Sequence, residues 1–454
     1  MATEVPDPSP SEHRRFSIRL PGPLWIGLSA TALMAAGVGM LVAVPIYREQ
    51  TAIRKISRWG GHVETSHEVP RWLRRLVDHE PTMVFERVVR VDLSGSAIAD
   101  ADVAELSGLM SLSSLSLSRT GVTDAGILKL KGLKRLRYLW LADTAIGNAA
   151  AAHLRTFGNL EFLDLDRTQV GDLGLAGLSA LTNLESLCVE GTGITDAGLA
   201  RIRGLTKITA LRLNGAQISD AGMLYVGGMS NLESLELNET QITDVAAAHI
   251  GGLHNLSELT LDGTRVTDSG VARLSGLTNL QQLYLYETQV SDAGLAHLVG
   301  MTDLRGLNFG KTRVTDGGLI HLGSLTKLTA LYLDDTTISD AGLLHVGGLT
   351  ELDWLNISGT HVTDAGLAHL ERLLKLEVLE LRNTQVTDVG LARLKWLMHL
   401  KWLALDNTPV TDAGLDHLKG LRDLTWLSLE NTGVTAAGVA ELERAMPNLT
   451  AGEW

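Results

Sequence analysis

A curved α/β solenoid is the fold class this sequence predicts, with a parallel β-sheet on its concave face, short helices or 3₁₀ turns on its convex face, and an N-terminal transmembrane helix ahead of it. Three observations carry that expectation. A threonine or near-equivalent returns every 24 residues, at Ser96, Thr120, Thr144, Thr168, Thr192, Ala216, Thr240, Thr264, Thr288, Thr312, Thr336, Thr360, Thr384, Thr408 and Thr432. Around each of them the apolar residues change from a period of two to a period of three. No charged residue occurs between Leu20 and Tyr47. A fixed period of this length means stacked units that bury their apolar faces only against one another, so function is to be sought on a long surface.

Residues 1–22 form a polar tail, with Pro6, Pro8 and Pro10 near its start, and are expected to be disordered. Residues 23–47 are expected to be a signal anchor. Within them Leu24 to Val44 gives 21 mostly apolar residues, which as a helix span about 30 Å, the thickness of a bilayer core. A cleaved signal peptide is the rival, because Ala35, Ala36 and Ala43 are small residues, but its apolar core is normally only about 7 to 15 residues long. Arg14, Arg15 and Arg19 precede the span while Arg48, Arg54, Lys55 and Arg58 follow it, so the basic bias chooses no side.

Residues 48–88 read as a linker and N-terminal cap. Ala52 to Trp59 has helical character and stops at Gly60 and Gly61; Pro70 opens a second helical stretch bearing Trp72, Leu73 and Leu76. Such a unit would cover the apolar end of the first repeat.

Residues 89–449 hold about fifteen repeats, which read L-x-x-L-x-L-x-x-T-x-V and then T-D-A-G-L-x-x-L-x-x-L. Leu115 and Leu117 alternate with Ser114, Ser116 and Ser118, the period of a strand with one buried face. Ile127, Leu130 and Leu133 then recur at three, as on a short helix or 3₁₀ turn. The Thr hydroxyl is expected to donate to a backbone carbonyl at the bend. Asp124, Asp172, Asp196 and their equivalents are expected to cap their own helices by accepting an orphaned N–H, and Gly126, Gly198 and their column to avoid a collision with the next repeat. In the last unit Ala436 replaces the Asp and Pro447 stops the helix, as in a terminal cap; residues 450–454 remain as a tail.

This repeat resembles the leucine-rich repeat family, whose usual pattern has Asn or Cys where this chain has Thr. Its T-D-A-G-L wording is similar to that of signal-anchored bacterial proteins of planctomycetes, and more distantly to the 24-residue repeats of bacterial effectors. The resemblance implies an α/β leucine-rich repeat solenoid. It also implies a single-pass membrane protein with its N-terminus in the cytoplasm and its repeats outside. An effector-like adaptor role is disfavoured, since residues 1–88 hold an anchor where an F-box would be needed.

Composition narrows the partners. The chain carries a net charge of −13, and residues 1–60 alone are +3, so the remainder is −16. An acidic solenoid repels phosphates, which excludes nucleic acid. The lone Cys188 cannot form an internal disulfide; on an outward strand position it leaves open a reactive thiol or simply a tolerated small residue. His297, His321, His345 and His369 share one column, with His153, His249 and His417 in other repeats. Imidazoles in a straight line do not close a tetrahedral shell, so neither a metal nor a cofactor is expected. The sequons at Asn238, Asn255 and Asn448 arise largely from the repeat template.

Side chains beside the strand leucines would line the concave face, where the units differ most. The candidate ligand-binding residues are Tyr138, Trp140, Phe162, Asp164, Asp166, Glu236, Tyr284, Tyr286, Tyr332, Asp334, Trp354, Glu380, Trp402 and Trp426. Rigid aromatic surface mixed with carboxylates fits a protein or peptide, with a basic partner gaining association rate, and aromatic platforms also fit an envelope glycan. The reading favoured is a membrane-anchored recognition module. A structural or scaffolding protein of the cell envelope is the alternative, as is an idle face whose aromatics merely cover strand backbone. No G-x-S-x-G turn, H-E-x-x-H helix or phosphate-cradling loop points to an enzyme.

Overall fold

Residues 44, 47–67, 86–130 and 132–452 are described by the computed structural model. The expected anchor falls almost wholly outside them, as do the polar tail and the stretch opened by Pro70; among the described residues no helix is long and apolar enough to cross a membrane.

The described residues contribute seventeen strands to one sheet. From Glu86–Asp92 to Thr450–Ala451 every pairing is parallel and every partner lies 24 residues on, so Leu163 faces Leu187 and Leu187 faces Leu211. These three leucines are at most 1% exposed, inside one continuous core. From Ser114–Ser116 to Trp426–Ser428 each strand is only three residues long, as at Tyr138–Trp140, with its central leucine inward and its neighbours outward. The return is a seven-residue helix in some units, such as Asp196–Ile202. In others a four-residue helix passes into a 3₁₀ turn, as Asp316–Leu319 into Ile320–Ser324. Strands pack about 4.8 Å apart and helices need about 10 Å, so the sheet takes the inner side of the curve.

The bend after each strand is built as the hydroxyl predicts. Thr144 Oγ1 donates to the Leu141 carbonyl at 2.6 Å, and Thr336 Oγ1 to that of Leu333 at the same distance. The residue just before the threonine is left-handed throughout: Gly263 has φ +65°, but Glu239 has +57° and Lys311 +50°. Glycine accepts that conformation without steric cost, whereas a side chain there is strained.

Two expected roles change. In most units the N-cap is the Thr or Ser before the aspartate; Thr195 Oγ1, for instance, accepts from Ala197 N, while Ala99, Gly147 and Gly171 stand at that position in three others. The aspartate reaches across to the following repeat. Asp172 Oδ1 accepts from Thr195 N at 2.8 Å and Oδ2 from Thr195 Oγ1 at 2.8 Å, and the same pair of bonds joins Asp244 to Thr267 and Asp340 to Thr363. This column therefore clamps repeat to repeat. The glycine two residues later is confined by the preceding unit rather than the next: a Cβ at Gly198 would lie 2.5 Å from Asp172 Oδ1.

At the N-terminal end, helix 47–58 buries Ala52 and Ile56 in the same core as Val91 and Leu93, and the chain turns at Gly60, φ +79°. His62–His67 then pairs antiparallel with Glu86–Asp92. At the other end helix Ala436–Ala445 buries Val439 and Leu442, and the sheet continues past residue 449 through Thr450 and Ala451.

Candidate binding face

Three outward columns make the inner face of the sheet: the first and third residue of each strand, and the residue two beyond. All the aromatic candidates occupy them, in three groups. Near the N-terminal end Trp140 lies between Tyr138, with ring centroids 6.3 Å apart, and Phe162, at 5.0 Å. In the middle Tyr332 packs on Trp354 at 5.9 Å, while Tyr284 and Tyr286 stand two strands away. At the far end the indoles of Trp402 and Trp426 stack at 3.5 Å. Trp402 remains 36% exposed.

The carboxylates divide into those engaged by the scaffold and those facing outward without a cation. Asp166 is buried: its Oδ1 accepts Glu190 N at 2.7 Å and its Oδ2 faces Arg212 Nη1 at 3.3 Å. Arg212 also holds Glu236 at 2.9 Å. Arg382 plays the same part further along, bridging Glu380 at 3.1 Å and Asp406 at 2.7 Å. Sequence reasoning overlooked these two arginines as neutralising partners, because Arg212 and Asp166 lie 46 residues apart and meet only through the stack.

Backbone hydrogen bonding explains two other acids and several amides on the face. The N–H of the third column has no strand partner of its own. Asp164, Asn308 and Asn356 satisfy it from within the repeat, and Asn214, Asn238 and Asp262 from the repeat before. Asp164 and Asp262 work without a bonded cation, and burial pushes both carboxyls up to about 6. Burial raises Asp334 and Glu380 as well, and lifts the Tyr332 hydroxyl to about 12. Asp406 goes the other way, since Ser428, the Glu430 N–H and Arg382 outweigh its burial.

Cys188 lies on this face yet is only 7% exposed, with burial pushing its thiol up to about 12, so it is no reactive site. Three buried polar atoms here lack a hydrogen-bond partner: Thr260 Oγ1, Trp354 Nε1 and Ser358 Oγ. Among the described residues no group of three or more His, Cys, Asp or Glu is placed to hold a metal ion.

Residues 204–227, one repeat length, match the family model described as Leucine Rich repeat. With the parallel in-register stack, that settles the architecture. The stack has the leucine-rich repeat fold. An internalin from Listeria monocytogenes is similar in structure at a TM-score of 0.50 and 24% identity, covering 76% of this chain and 90% of that one. A leucine-rich repeat protein of Leptospira interrogans is similar at 0.55 and 17%, covering 77% and 92%. The ectodomain of the Arabidopsis receptor kinase HAESA, solved in complex with an N-terminally extended IDA peptide hormone ligand, is similar at 0.54 and 15%, covering 90% and 77%. At these identities the likeness is one of fold. No curated protein sequence matches the chain.

Proposed function

We propose that this leucine-rich repeat chain is a non-enzymatic, membrane-anchored recognition module whose concave face binds a protein or peptide, preferably a basic one. The observation that carries this reading is the half-exposed aromatic surface on the inner columns, where the leucine core has no use for it. The three columns hold eleven acidic and three basic residues, and the arginines at 90, 212 and 382 are all paired with carboxylates. A cationic partner would thus meet an attractive field and rigid ring surface together. The peptide-bound HAESA ectodomain supports a peptide as ligand class, and the uncharged run 24–44 supports an anchor. The T-D-A-G-L wording, similar to that of planctomycete signal-anchored proteins, supports repeats on the extracytoplasmic side.

The test is capture from native membranes by the tagged full chain. Trp354→Ala with Trp402→Ala should abolish capture while leaving the far-ultraviolet dichroism unchanged; capture that survives both changes removes this face from consideration. Replacing the basic capture product by an envelope glycan in the same assay would shift the ligand class without shifting the site.

A scaffolding role has one observation of its own. The helix side exposes Leu173 at 76%, Val389 at 64% and Leu344 at 61%, enough apolar surface to suggest self-association. Sedimentation showing only monomer at high micromolar concentration would eliminate it.

A further inference from the structure

The strand Ser114–Ser116 puts a serine at both of its outward positions. Larger side chains flank it in register, Arg90 and Asp92 on the strand before and Tyr138 and Trp140 on the strand after. The serines therefore leave a gap. Arg90, Asp92, Ser114, Ser116 and Trp140 line an open cavity of about 350 Å³ on the inner face. Ligand cavities run from about 300 to 1,000 Å³, so this one has room for a single ring rather than a longer segment.

The lining is chemically mixed. Trp140 is its one apolar wall, braced from the side away from the serines by Phe162, whose ring centroid is 5.0 Å distant. Opposite, Asp92 Oδ1 accepts from Ser94 N at 2.9 Å and from Ser94 Oγ at 2.7 Å, and these bonds hold the carboxyl below its ordinary range. Its Oδ2 accepts no hydrogen bond among the described residues. Arg90 uses Nη1 for Glu64 at 3.1 Å, and its other N–H groups have no partner among the described residues. The independent sign of a ligand is Ser114. It is only 3% exposed, yet its hydroxyl forms no hydrogen bond among the described residues, and it opens onto the cavity. A buried hydroxyl without a partner costs free energy that a polar ligand would recover.

Three ligand classes fail on this lining. A lysine or arginine side chain would meet the Arg90 guanidinium, an anion would meet Asp92 and Glu64, and an apolar side chain would leave Ser114 unsatisfied. A neutral sugar ring suits all of it, with a C–H face for the indole and hydroxyls that both donate and accept around its rim.

We propose that this cavity receives one neutral pyranose ring, stacked on Trp140, with its hydroxyls donating to Asp92 and accepting from Arg90 and Ser114. The site goes beyond the peptide reading of the face: it lies at the N-terminal end, away from Trp354 and Trp402, and takes a different class of ligand.

The probes are the methyl glycosides of glucose, galactose, mannose and N-acetylglucosamine, titrated into the full chain in a sugar-free zwitterionic detergent and read by saturation-transfer NMR. At least one should bind wild type, with a Kd on the order of 1 mM for a single ring. Trp140→Ala should bring that binding below detection, Asp92→Asn should weaken it about tenfold and Ser114→Ala about fivefold, while Trp396→Ala, an exposed indole on the helix side, should change it less than about twofold. Binding by none of the four glycosides overturns the proposal, as does binding that survives Trp140→Ala. An equal loss in Trp396→Ala overturns it too, by reducing the effect to indiscriminate stacking. Unchanged melting of the three cavity variants guards against misfolding. A tetrasaccharide of the same sugar that binds as well as its methyl glycoside assigns the ring to the end of a glycan chain, and one that fails assigns it to a free sugar. The two readings fail separately: protein capture that survives Trp354→Ala with Trp402→Ala removes the peptide reading and leaves this site standing if Trp140→Ala still abolishes sugar binding.

Discussion

Asp244→Ala should be among the most damaging single changes on the surface of this solenoid. The carboxylate accepts from Thr267 N at 2.7 Å and from Thr267 Oγ1 at 2.7 Å, and so links two repeats on their helix side. Each charge-assisted bond contributes about 1.5 kcal/mol net, so losing both, partly screened by water, should cost about 2 to 3 kcal/mol. Asp124→Ala is an internal control supplied by the chain, because its partner is Gly147, which has an N–H at 2.6 Å but no hydroxyl. That change should cost only about half as much. Asp244→Asn keeps the acceptor for the amide and should cost about 1 kcal/mol. Urea titration measures the totals, and hydrogen exchange shows where they fall. Since a repeat contacts only its neighbours, protection should be lost around 244–267 and not uniformly. Equal costs at Asp244 and Asp124, or a loss spread evenly along the stack, would refute the clamp.

Gly263→Ala, at φ +65°, should lower stability by about 1 kcal/mol, while Gly276→Ala, with nothing within 4 Å and an ordinary φ, should be neutral; thermal melts of the two variants decide. Cys188 should resist a thiol reagent at pH 8 in the folded chain and react only on unfolding, so a fast stoichiometric burst from native protein would contradict its burial. Asp262 has a folded pKa raised from 3.8 to about 6, so its ionisation opposes folding fully above pH 6, and that penalty fades as pH falls towards 3.8. Asp262→Asn should therefore stabilise the chain at pH 7.5 and lose its advantage near pH 4, as chemical denaturation at the two pH values would show.

How much of this could be read from the chain alone depends on whether a residue works within its own repeat. Leu163, Leu187 and Leu211 were legible because a period of two declares the buried face of a strand, and Thr144 because its acceptor is three residues away. The left-handed column was not, because glycine, acidic, basic and amide residues share it and no single type marks it. On the binding face, chemistry was readable but occupancy was not: Asp166 and Asp164 look alike in sequence, yet one is held beneath Arg212 and the other lacks a bonded cation.

The aspartate column shows why adjacency misleads. Thr195 and Asp196 are consecutive, so the pair reads as one local helix cap, but each member works for a different neighbour: Thr195 receives the clamp from Asp172, and Asp196 delivers the next one to Ser219. Followed along the chain, these bonds begin at Asp100, which clamps Thr123, and end at Thr435, which is clamped by Asp412. The residue before the first acceptor is Ala99 and the residue after the last donor is Ala436. The first unit thus keeps only the carboxylate and the last only the hydroxyl, so the ladder closes at both ends with no charge or donor left over. A solenoid must stop its stacking somewhere, and here half of a dipeptide at each end does so.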